Sequence, residues 1–585
     1  MPSGLPSADH VVAHTLLNCL LREVSGPEHQ TAVADGQLLL RLPRRDTLLR
    51  VAVRRTSLTG AHRFTGPVAQ QRADGGWAEV DWRRLATLVE AELALRTGVS
   101  NDEFAQQLAS SHAAVAAALG RRAESPTAGS QSSAPASRYL ESEQALLFGH
   151  RFHPTPKARS GSRTAWEAYA PEARAAFPLR HLAVATHLVA EESAVPGATA
   201  VLDRLRPVPD GYRLLPAHPW QYELLSGHPQ LRAALDRRDI LDLGTGGTPF
   251  TATSSVRTLH GADAFLKFSL NIRITNCLRK NASYELSGAV ALTRLLDPVL
   301  SDLAARFPGH AMLREPAYRS VSPVLSPDLL EGFGVIVRDG LAAHARPGTT
   351  PLLAAAVADE YPTSSAHLSR LLDGAAPADA LDWWGAYLRL LVPPVLAAYC
   401  DHGVVLEPHL QNVLIGVDAG GLPAQVLLRD LEGTKLLAGH HAAALAALPS
   451  DVARPMTYDD RRGWERVVYC LLVNNLAEMA AALADLHPPL EPALWAQLRT
   501  VLQEYADEHG CPPRLRGLLA GAPLPAKANL LTRWARRADR EAGYVRIPSP
   551  LGPVRRITAG PAASGTAPRR VADCAPWAAG ASGPG

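Results

Sequence analysis

Cysteine is scarce and scattered: six residues in 585, at positions 19, 277, 400, 470, 511 and 574, with no CxxC or CxH spacing among them. That excludes a disulfide framework and a zinc or iron–sulfur site written into the sequence, and it fits a reducing cytoplasm, the expected location. Charge of one sign is lacking too. Lys+Arg 59 against Asp+Glu 56 leaves a net charge of +3, and no block of like charges offers a polyanion an electrostatic footprint, so a nucleic-acid partner is disfavoured. No uninterrupted apolar run approaches the ~18 residues of a membrane span, and the opening MPSGLPSADHVV carries no basic segment followed by an apolar one. Neither a membrane nor an export route is expected. Gly 44 and Pro 47 keep the chain as a whole out of the low-complexity range.

What is present is a 62.4 kDa chain with 47% hydrophobic residues, long enough for about two to four domains. Residues 36 to 66 hold short β-type runs, and 82 to 120 read as two helices with Leu and Ala at helical spacing. The stretch from Arg121 to Arg138 is rich in Ser, Ala and Pro and reads as a linker, closing a first α+β lobe at 1–138. A second, mixed lobe is expected over 139–370, with a hairpin within 250–275 turning at His260 to Asp263. A third, mainly helical lobe is expected over 371–548, containing a strand pair around Asp418 to Gly421. The Gly, Ala, Ser and Pro-rich segment 549–585 reads as a disordered tail. The fold class is α+β, multi-lobed.

The most informative stretch is Leu266 to Thr275. Leu266, Phe268, Leu270, Ile272 and Ile274 alternate strictly with Lys267, Ser269, Asn271, Arg273 and Thr275. Such a strand could send its polar face to water. That face, however, has two cations, three neutral hydrogen-bonding residues and no acid, and is followed by Asn276, Arg279 and Lys280, a composition suited to carboxylates and phosphates. The preceding TSSVRT brings Ser254, Ser255, Arg257 and Thr258 to the same hairpin. Further on, GVVLEPHLQNVLI sets Glu407, His409 and Asn412 between a helix and a strand, and Asp430 and Glu432 follow the next strand. A loop carboxylate, a carboxamide and an aspartate beyond a hairpin resemble the metal-holding parts of a kinase catalytic loop, with an acidic capped turn as the bland alternative. In GHRFHPTPKAR, His150 and His153 lack further zinc ligands at suitable spacing, so with Lys157, Arg159 and Arg163 nearby the segment reads as anion-binding. His218, Trp220 and Gln221 in HPWQ could form a packed turn.

In order, GHxxHPxxKxR, HPWQ, SxRT, KxSxNIRxTNxxR and ExHxQN followed by RDxEG make the chain resemble the NRPS-independent siderophore synthetases, the IucA/IucC family, over about 139 to 545. The resemblance implies a cupped hand of thumb, fingers and kinase-like palm, and an enzyme that adenylates a carboxylate of citrate or a related polycarboxylic acid with Mg-ATP. An amine, hydroxylamine or alcohol then attacks and AMP leaves. It also implies residue roles: Ser255, Arg257, Thr258 and Lys267 for the nucleotide phosphates; His153, Thr275, Arg279 and His409 for the acid; and Glu407, Asn412 and Asp430 for Mg²⁺. Lys267, Arg279 and His409 are the expected catalytic groups. A homodimer is implied as well. The rivals are a small-molecule kinase-like phosphotransferase and, further off, a ferric-siderophore binding or reductase protein, whose metal cluster would need cysteines closer together than Cys470, Cys511 and Cys574.

Overall fold

A computed structural model describes residues 4–124, 134–275, 277–538 and 541–553. The chain starts with helix Ala8–Leu20, whose N-terminus is capped by Ser7 accepting from the His10 amide at 3.2 Å. A five-stranded antiparallel meander follows in sequence order, from Thr31–Ala34 to Trp77–Val80. Alternating burial along Gln37–Leu42 turns Leu38, Leu40 and Leu42 inward. Helix Trp82–Thr97 begins at the Asp81 cap and stops at Gly98, whose φ of 69° is one an L-residue adopts reluctantly. These elements share a core with Leu530 and Trp534, so residues 530–534 pack into the first lobe.

The middle of the molecule is an eight-stranded sheet running Val189–Ser193, Ala317–Val321, Val335–Asp339, Ala264–Phe268, Thr258–Gly261, Ile240–Ala252, Ala176–Ala185 and Tyr212–Ala217. The expected hairpin is at its centre. Thr258 pairs with Lys267 and Gly261 with Ala264. Ala262 and Asp263 make the two-residue turn with φ of 50° and 55°, the positive pair that matches the twist of the flanking strands.

The third region joins a four-stranded sheet, His310–Met312, Pro423–Leu428, Val413–Val417 and Thr350–Leu353, to long helices. The strand pair expected around Asp418 to Gly421 is Val413–Val417 against Pro423–Leu428. Helix Pro377–Cys400 buries Trp383 and Trp384, and both indole N–H groups find carbonyls, on Gly421 and Leu494. The helical run from Asp460 to Leu486 is α, then π over Tyr469–Leu476, then α again. It is long and apolar enough to cross a membrane, but 94% of its apolar window is buried inside the protein.

Two stretches differ from expectation. The linker reading covers 121–138, yet helix Phe104–Glu124 runs into it and helix Pro135–Glu143 begins within it; Tyr139 of the latter is fully buried against the third region's core. Residues 125–133 lie outside the described residues. The tail reading starts at 549, but Leu551 is fully buried in that same core, because one large apolar side chain finds a site that average composition does not register. Residues 554–585, the bulk of the expected tail, lie outside the described residues.

Candidate functional site

The central hairpin, the loop before Val413 and the π segment meet around a cavity of about 550 Å³. All eleven residues singled out above line it: His153, Ser255, Arg257, Thr258, Lys267, Thr275, Arg279, Glu407, His409, Asn412 and Asp430. Three wall residues other than glycine hold positive φ: Val256 at 66°, Thr275 at 57° and Asp430 at 72°. For β-branched Val and Thr this backbone is strained, and it persists because the surrounding structure enforces it.

Lys267 is 3% exposed and its ammonium lies 2.7 Å from Asp430 Oδ1, 2.8 Å from Glu432 Oε2 and 3.6 Å from Glu315 Oε1. Burial alone would lower its pKa, but these three carboxylates raise it above the ordinary lysine value, so it is charged. Asp430 Oδ1 also accepts from Arg338 at 2.9 Å. Burial opposes its ionisation, yet Lys267 and Arg338 hold its carboxyl well below the usual carboxylate range. Arg338 is anchored in turn by Glu315 Oε1 at 2.6 Å, and Glu315 Oε2 accepts the Glu432 amide at 2.9 Å.

Opposite, Glu407 Oε1 lies 3.2 Å from the Arg466 guanidinium. The other oxygens of the two acids converge. A Cβ placed on Gly433 would stand in ordinary contact with both, 3.4 Å from Asp430 Oδ2 and 3.6 Å from Glu407 Oε2, so the two oxygens flank one point. Asn412 donates through Nδ2 to the Glu407 carbonyl at 3.3 Å. Hard carboxylate and carboxamide oxygens of this kind suit Mg²⁺, which takes few protein ligands and completes its shell with water and phosphate. Among the described residues no group of three or more His, Cys, Asp or Glu side chains is arranged to hold a metal. Glu407, Asp430 and Asn412 could offer two carboxylates and one amide oxygen. His409 is kept neutral, its pKa lowered by burial against the partial opposition of Glu407 and Asp430.

The strict alternation of Leu266 to Thr275 does not form one face. The chain leaves the large sheet at Ser269, whose hydroxyl donates to the Glu331 carbonyl, and restarts as Leu270–Ile274 paired with Cys277–Arg279. Lys267, Thr275 and Arg279 reach the cavity; Asn271 is clamped by Gln221, and Arg273 is exposed. Lys280 pairs with Glu331 at 2.7 Å, and Asn276 lies outside the described residues. HPWQ is the packed turn: Gln221 bonds the Asn271 amide and the Gly332 carbonyl, while His218 caps helix Pro219–Leu225. In GHRFHPTPKAR, His150, His153, Lys157 and Arg159 line the cavity, although Arg159 is bound to Glu172 at 2.6 Å and Arg163 faces out to Glu167.

Several residues that build the site went unread in the sequence. Asn281, fully buried, ties together the Arg257 guanidinium and the carbonyls of Lys267 and Gly334. Glu143 receives Arg429 and the Ser254 amide. In the π segment, Asn474 accepts from the Leu410 amide at 3.1 Å and meets His150 at 2.8 Å, and Asn475 bridges the Tyr387 hydroxyl and the Pro408 carbonyl. A π-bulge is a common mark of a functional site, because it turns side chains off the helical repeat. The adjacent Asn pair inside an apolar helix was the only available signal for it.

Comparison with known proteins identifies the family. The sequence pattern of the "IucA / IucC family" matches residues 138–359, and that described as "Ferric iron reductase FhuF-like transporter" matches residues 381–542. The chain is 29% identical to the rhizobactin siderophore biosynthesis protein RhbC of Rhizobium meliloti, over 94% of this chain and 99% of that one. It is 30% identical to the L-2,3-diaminopropanoate–citrate ligase of Staphylococcus aureus, over 71% and 75% of the two chains. The solved structure of ATP-bound aerobactin synthetase IucA from Klebsiella pneumoniae superposes with a TM-score of 0.81 at 26% identity, covering 92% of this chain and 99% of that one. With a 30% identical relative covered over three quarters of its length and a full-length structural match, the chain belongs to the IucA/IucC family of siderophore synthetases.

Proposed function

We propose that the protein is an ATP-dependent ligase that adenylates a carboxylate of citrate or a related polycarboxylic acid and joins it to an amine, hydroxylamine or alcohol, releasing pyrophosphate and AMP. The carrying observation is the single cavity that sets Arg257, Lys267 and Arg279 beside the Glu407 and Asp430 oxygens converging over Gly433. One cavity can then neutralise two anions, an acid and a triphosphate, held in reacting distance. The citrate named in the Staphylococcus relative and the ATP in the Klebsiella structure support both choices. On this reading the lobes at 1–138, 139–370 and 371–548 act as thumb, fingers and palm of a cupped hand, the last resembling a kinase.

In the first step a carboxylate oxygen attacks the α-phosphorus of ATP, the bond to the pyrophosphate oxygen breaks, and pyrophosphate leaves with the electron pair. Ser255, Arg257 and Thr258 bind the phosphates, and Lys267 contributes its charge while orienting Asp430. His153, Thr275 and Arg279 hold the acid, and neutral His409 can donate to or accept from the reacting oxygens without adding a charge. Glu407, Asn412 and Asp430 would hold Mg²⁺, which supplies neutralisation of the phosphate oxygens when bound. In the second step the amine nitrogen attacks the acyl carbon, the carbon–oxygen bond to AMP breaks, and the nitrogen releases its proton to solvent. No protein nucleophile is required.

The test incubates the enzyme with citrate, Mg-ATP and hydroxylamine and measures pyrophosphate, AMP and ADP. Carboxylate-dependent pyrophosphate and AMP in equal amounts are expected. Carboxylate-dependent ADP without pyrophosphate would instead make it a phosphotransferase.

A further inference from the structure

A second wall of the cavity is gathered from helix Ala8–Leu20, the segment that follows strand Thr350–Leu353 and the end of the composite helix, which bring Asn18, Asp359, Glu360 and Glu478 to it. Seven carboxylates line the cavity as a whole, and six of them have a cation close by. Glu143 meets Arg429, Glu172 meets Arg159, Glu407 meets Arg466, Asp430 meets Lys267, and Glu360 and Glu478 share Arg151, all at 2.5 to 3.7 Å. Asp359 is the exception: among the described residues no cation stands within 4.0 Å of it, because those nearby are engaged elsewhere. Arg54, Arg63 and Arg151 turn to Glu360 at 3.2 to 4.0 Å, and Lys157 donates to the Leu146 carbonyl at 2.7 Å with Glu172 at 3.9 Å.

The backbone of Asp359 is fixed while its carboxylate is left open. His367 Nε2 donates to the Asp359 carbonyl at 2.9 Å, His367 Nδ1 accepts the Ser369 amide at 3.1 Å, and the Tyr361 ring meets the Phe148 ring edge-on. The Tyr361 amide reaches Asp359 Oδ1 only at 3.4 Å, and the half-buried side chain lines the cavity. Four residues earlier, the Ala355 amide donates to the Leu410 carbonyl at 3.1 Å, which ties this segment to the loop of His409 and Asn412. Lys157, which interacts electrostatically with Asp359, precedes Ala158, whose carbonyl accepts the Thr275 amide at 2.8 Å. Asp359 is thus placed between the segments that carry His153, Thr275 and His409, the residues read above as holding the acid.

The charges that face it are Glu360, Tyr361 and His367 from its own stretch of chain, Arg63 from strand Arg63–Gln71, and Lys157. Burial pushes the Asp359 carboxyl up to about 7; Glu360 adds to the rise, and the Tyr361 amide and Arg63 oppose it. Burial acts on the paired acids Glu143, Glu172 and Asp430 as well, but their cations bring all three below the ordinary value, and burial lowers His409. A group that accepts a proton in a transition state works best when its pKa lies near the working pH.

We propose that Asp359 is the general base of the second step, taking the proton from the attacking nucleophile. The inference rests on the ligase reading and deepens it. As the bond from the nucleophile's nitrogen to the acyl carbon forms, the acyl C–O bond to AMP breaks and AMP leaves with the electron pair. The N–H proton passes to an Asp359 carboxylate oxygen and from there to solvent, which restores the carboxylate.

The experiment separates the two steps. Citrate-dependent exchange of labelled pyrophosphate into ATP reports the first, and hydroxamate formation from hydroxylamine in a single turnover, expressed per uncharged hydroxylamine, reports the second. In the wild-type enzyme the hydroxamate rate should rise with pH and level off above about 7, because the carboxylate accepts only when unprotonated. Asp359→Asn should lose about 10²- to 10⁴-fold in hydroxamate rate, and the pH rise with it, while exchange, which transfers no proton, stays within about threefold. Asp359→Glu keeps a carboxylate and should recover part of the rate and the pH dependence. An Asp359→Asn enzyme that forms hydroxamate nearly as fast as the wild type, that loses exchange and hydroxamate formation equally, or that keeps the pH rise overturns the assignment and leaves the ligase reading standing. If that variant melts early, a wild-type profile that is flat from about pH 6 to 8 overturns it alone. A wild-type enzyme that neither exchanges pyrophosphate nor forms hydroxamate would instead remove the ligase reading itself.

Discussion

The cavity wall carrying Lys267, Arg279 and Asp430 comes from two short stretches, 253–279 and 407–433. The wall carrying Asn18, Glu360 and Glu478 is gathered from a helix of the first lobe, a loop after strand Thr350–Leu353 and the far part of the composite helix. The first wall is positive and rigidly paired, with Lys267, Arg338 and Glu315 locked together at 2.6 to 3.6 Å. The second mixes Asp359, Glu360 and Glu478 with Arg151 and leaves polar atoms of both kinds, Asn18 Oδ1, Glu478 Oε1 and two nitrogens of Arg151, without a hydrogen-bond partner. The difference is between charged groups paired at hydrogen-bond distance and charges shared over 3.2 to 4.0 Å, as Arg151 and Arg63 are with Glu360 and Glu478. Transition-state charge must be met by groups already in place, and only the first wall has its charged groups held that way.

Breaking the first wall should have the largest effect. Asp430→Asn removes the acid that Lys267 and Arg338 share and one of the two oxygen donors above Gly433, so turnover should fall about 10³-fold with every amine tested. A variant active through Glu432 instead, with Glu432→Gln inactive, would shift the metal role by two residues. Lys267→Ala should lose about 10²- to 10³-fold in rate and, unlike a surface lysine, also about 3 to 5 kcal/mol of stability, because it takes the close cation from Glu432 and leaves Arg338 alone to hold Asp430 and Glu315. Arg279→Ala should show the rate loss with a smaller change in melting temperature. Near wild-type kinetics in either would contradict the account of this wall.

The support behind the walls should matter less. Asn475→Ala removes the bonds to Tyr387 and Pro408 that position the loop of Glu407 to Asn412, and a loosened loop should cost roughly tenfold in kcat, by analogy with supporting residues around metal ligands. Asn475→Asp, which keeps the acceptor for Tyr387, should recover part of it. An unchanged kcat in Asn475→Ala would mean that the π segment only packs.

The legibility of the two walls follows from the same contrast. Residues 253–279 form a hairpin whose partners are adjacent in sequence, and period-two alternation reads hairpins well; the turn and both flanking strands stand where the pattern puts them. The alternation misled only at Ser269, where the strand changes sheets: its hydroxyl donates to the Glu331 carbonyl and accepts from the Asn281 amide. Glu407, His409, Asn412 and Asp430 were legible because oxygen donors cluster across one strand pair. Glu315, Arg338 and Asn281 carry no local signal, since the meaning of each is a partner far along the chain. Asn18 and Glu478 lie on helices that read as ordinary core elements, 460 residues apart. Only tertiary packing brings them to one cavity.

Away from both walls, effects should be on stability alone. His310 is buried in strand His310–Met312 with neither ring nitrogen hydrogen-bonded, and burial lowers its pKa from 6.5 to about 4. Between these values the unfolded chain binds the proton and the folded one does not, so stability is lost as pH falls through that window. His310→Leu should therefore raise the melting temperature more at pH 5 than at pH 7.5, by the equivalent of about 1 to 2 kcal/mol, without altering turnover. An equal shift at both pH values would mean the ring is protonated in the fold.

The central claim is that a carboxylate oxygen becomes bonded to the α-phosphorus of ATP within the cationic wall. Citrate labelled with ¹⁸O in its carboxylates, incubated with the enzyme, Mg-ATP and hydroxylamine, tests this in one mass spectrum. The account predicts AMP carrying one ¹⁸O atom for each product formed; unlabelled AMP, or label appearing in inorganic phosphate, would contradict it.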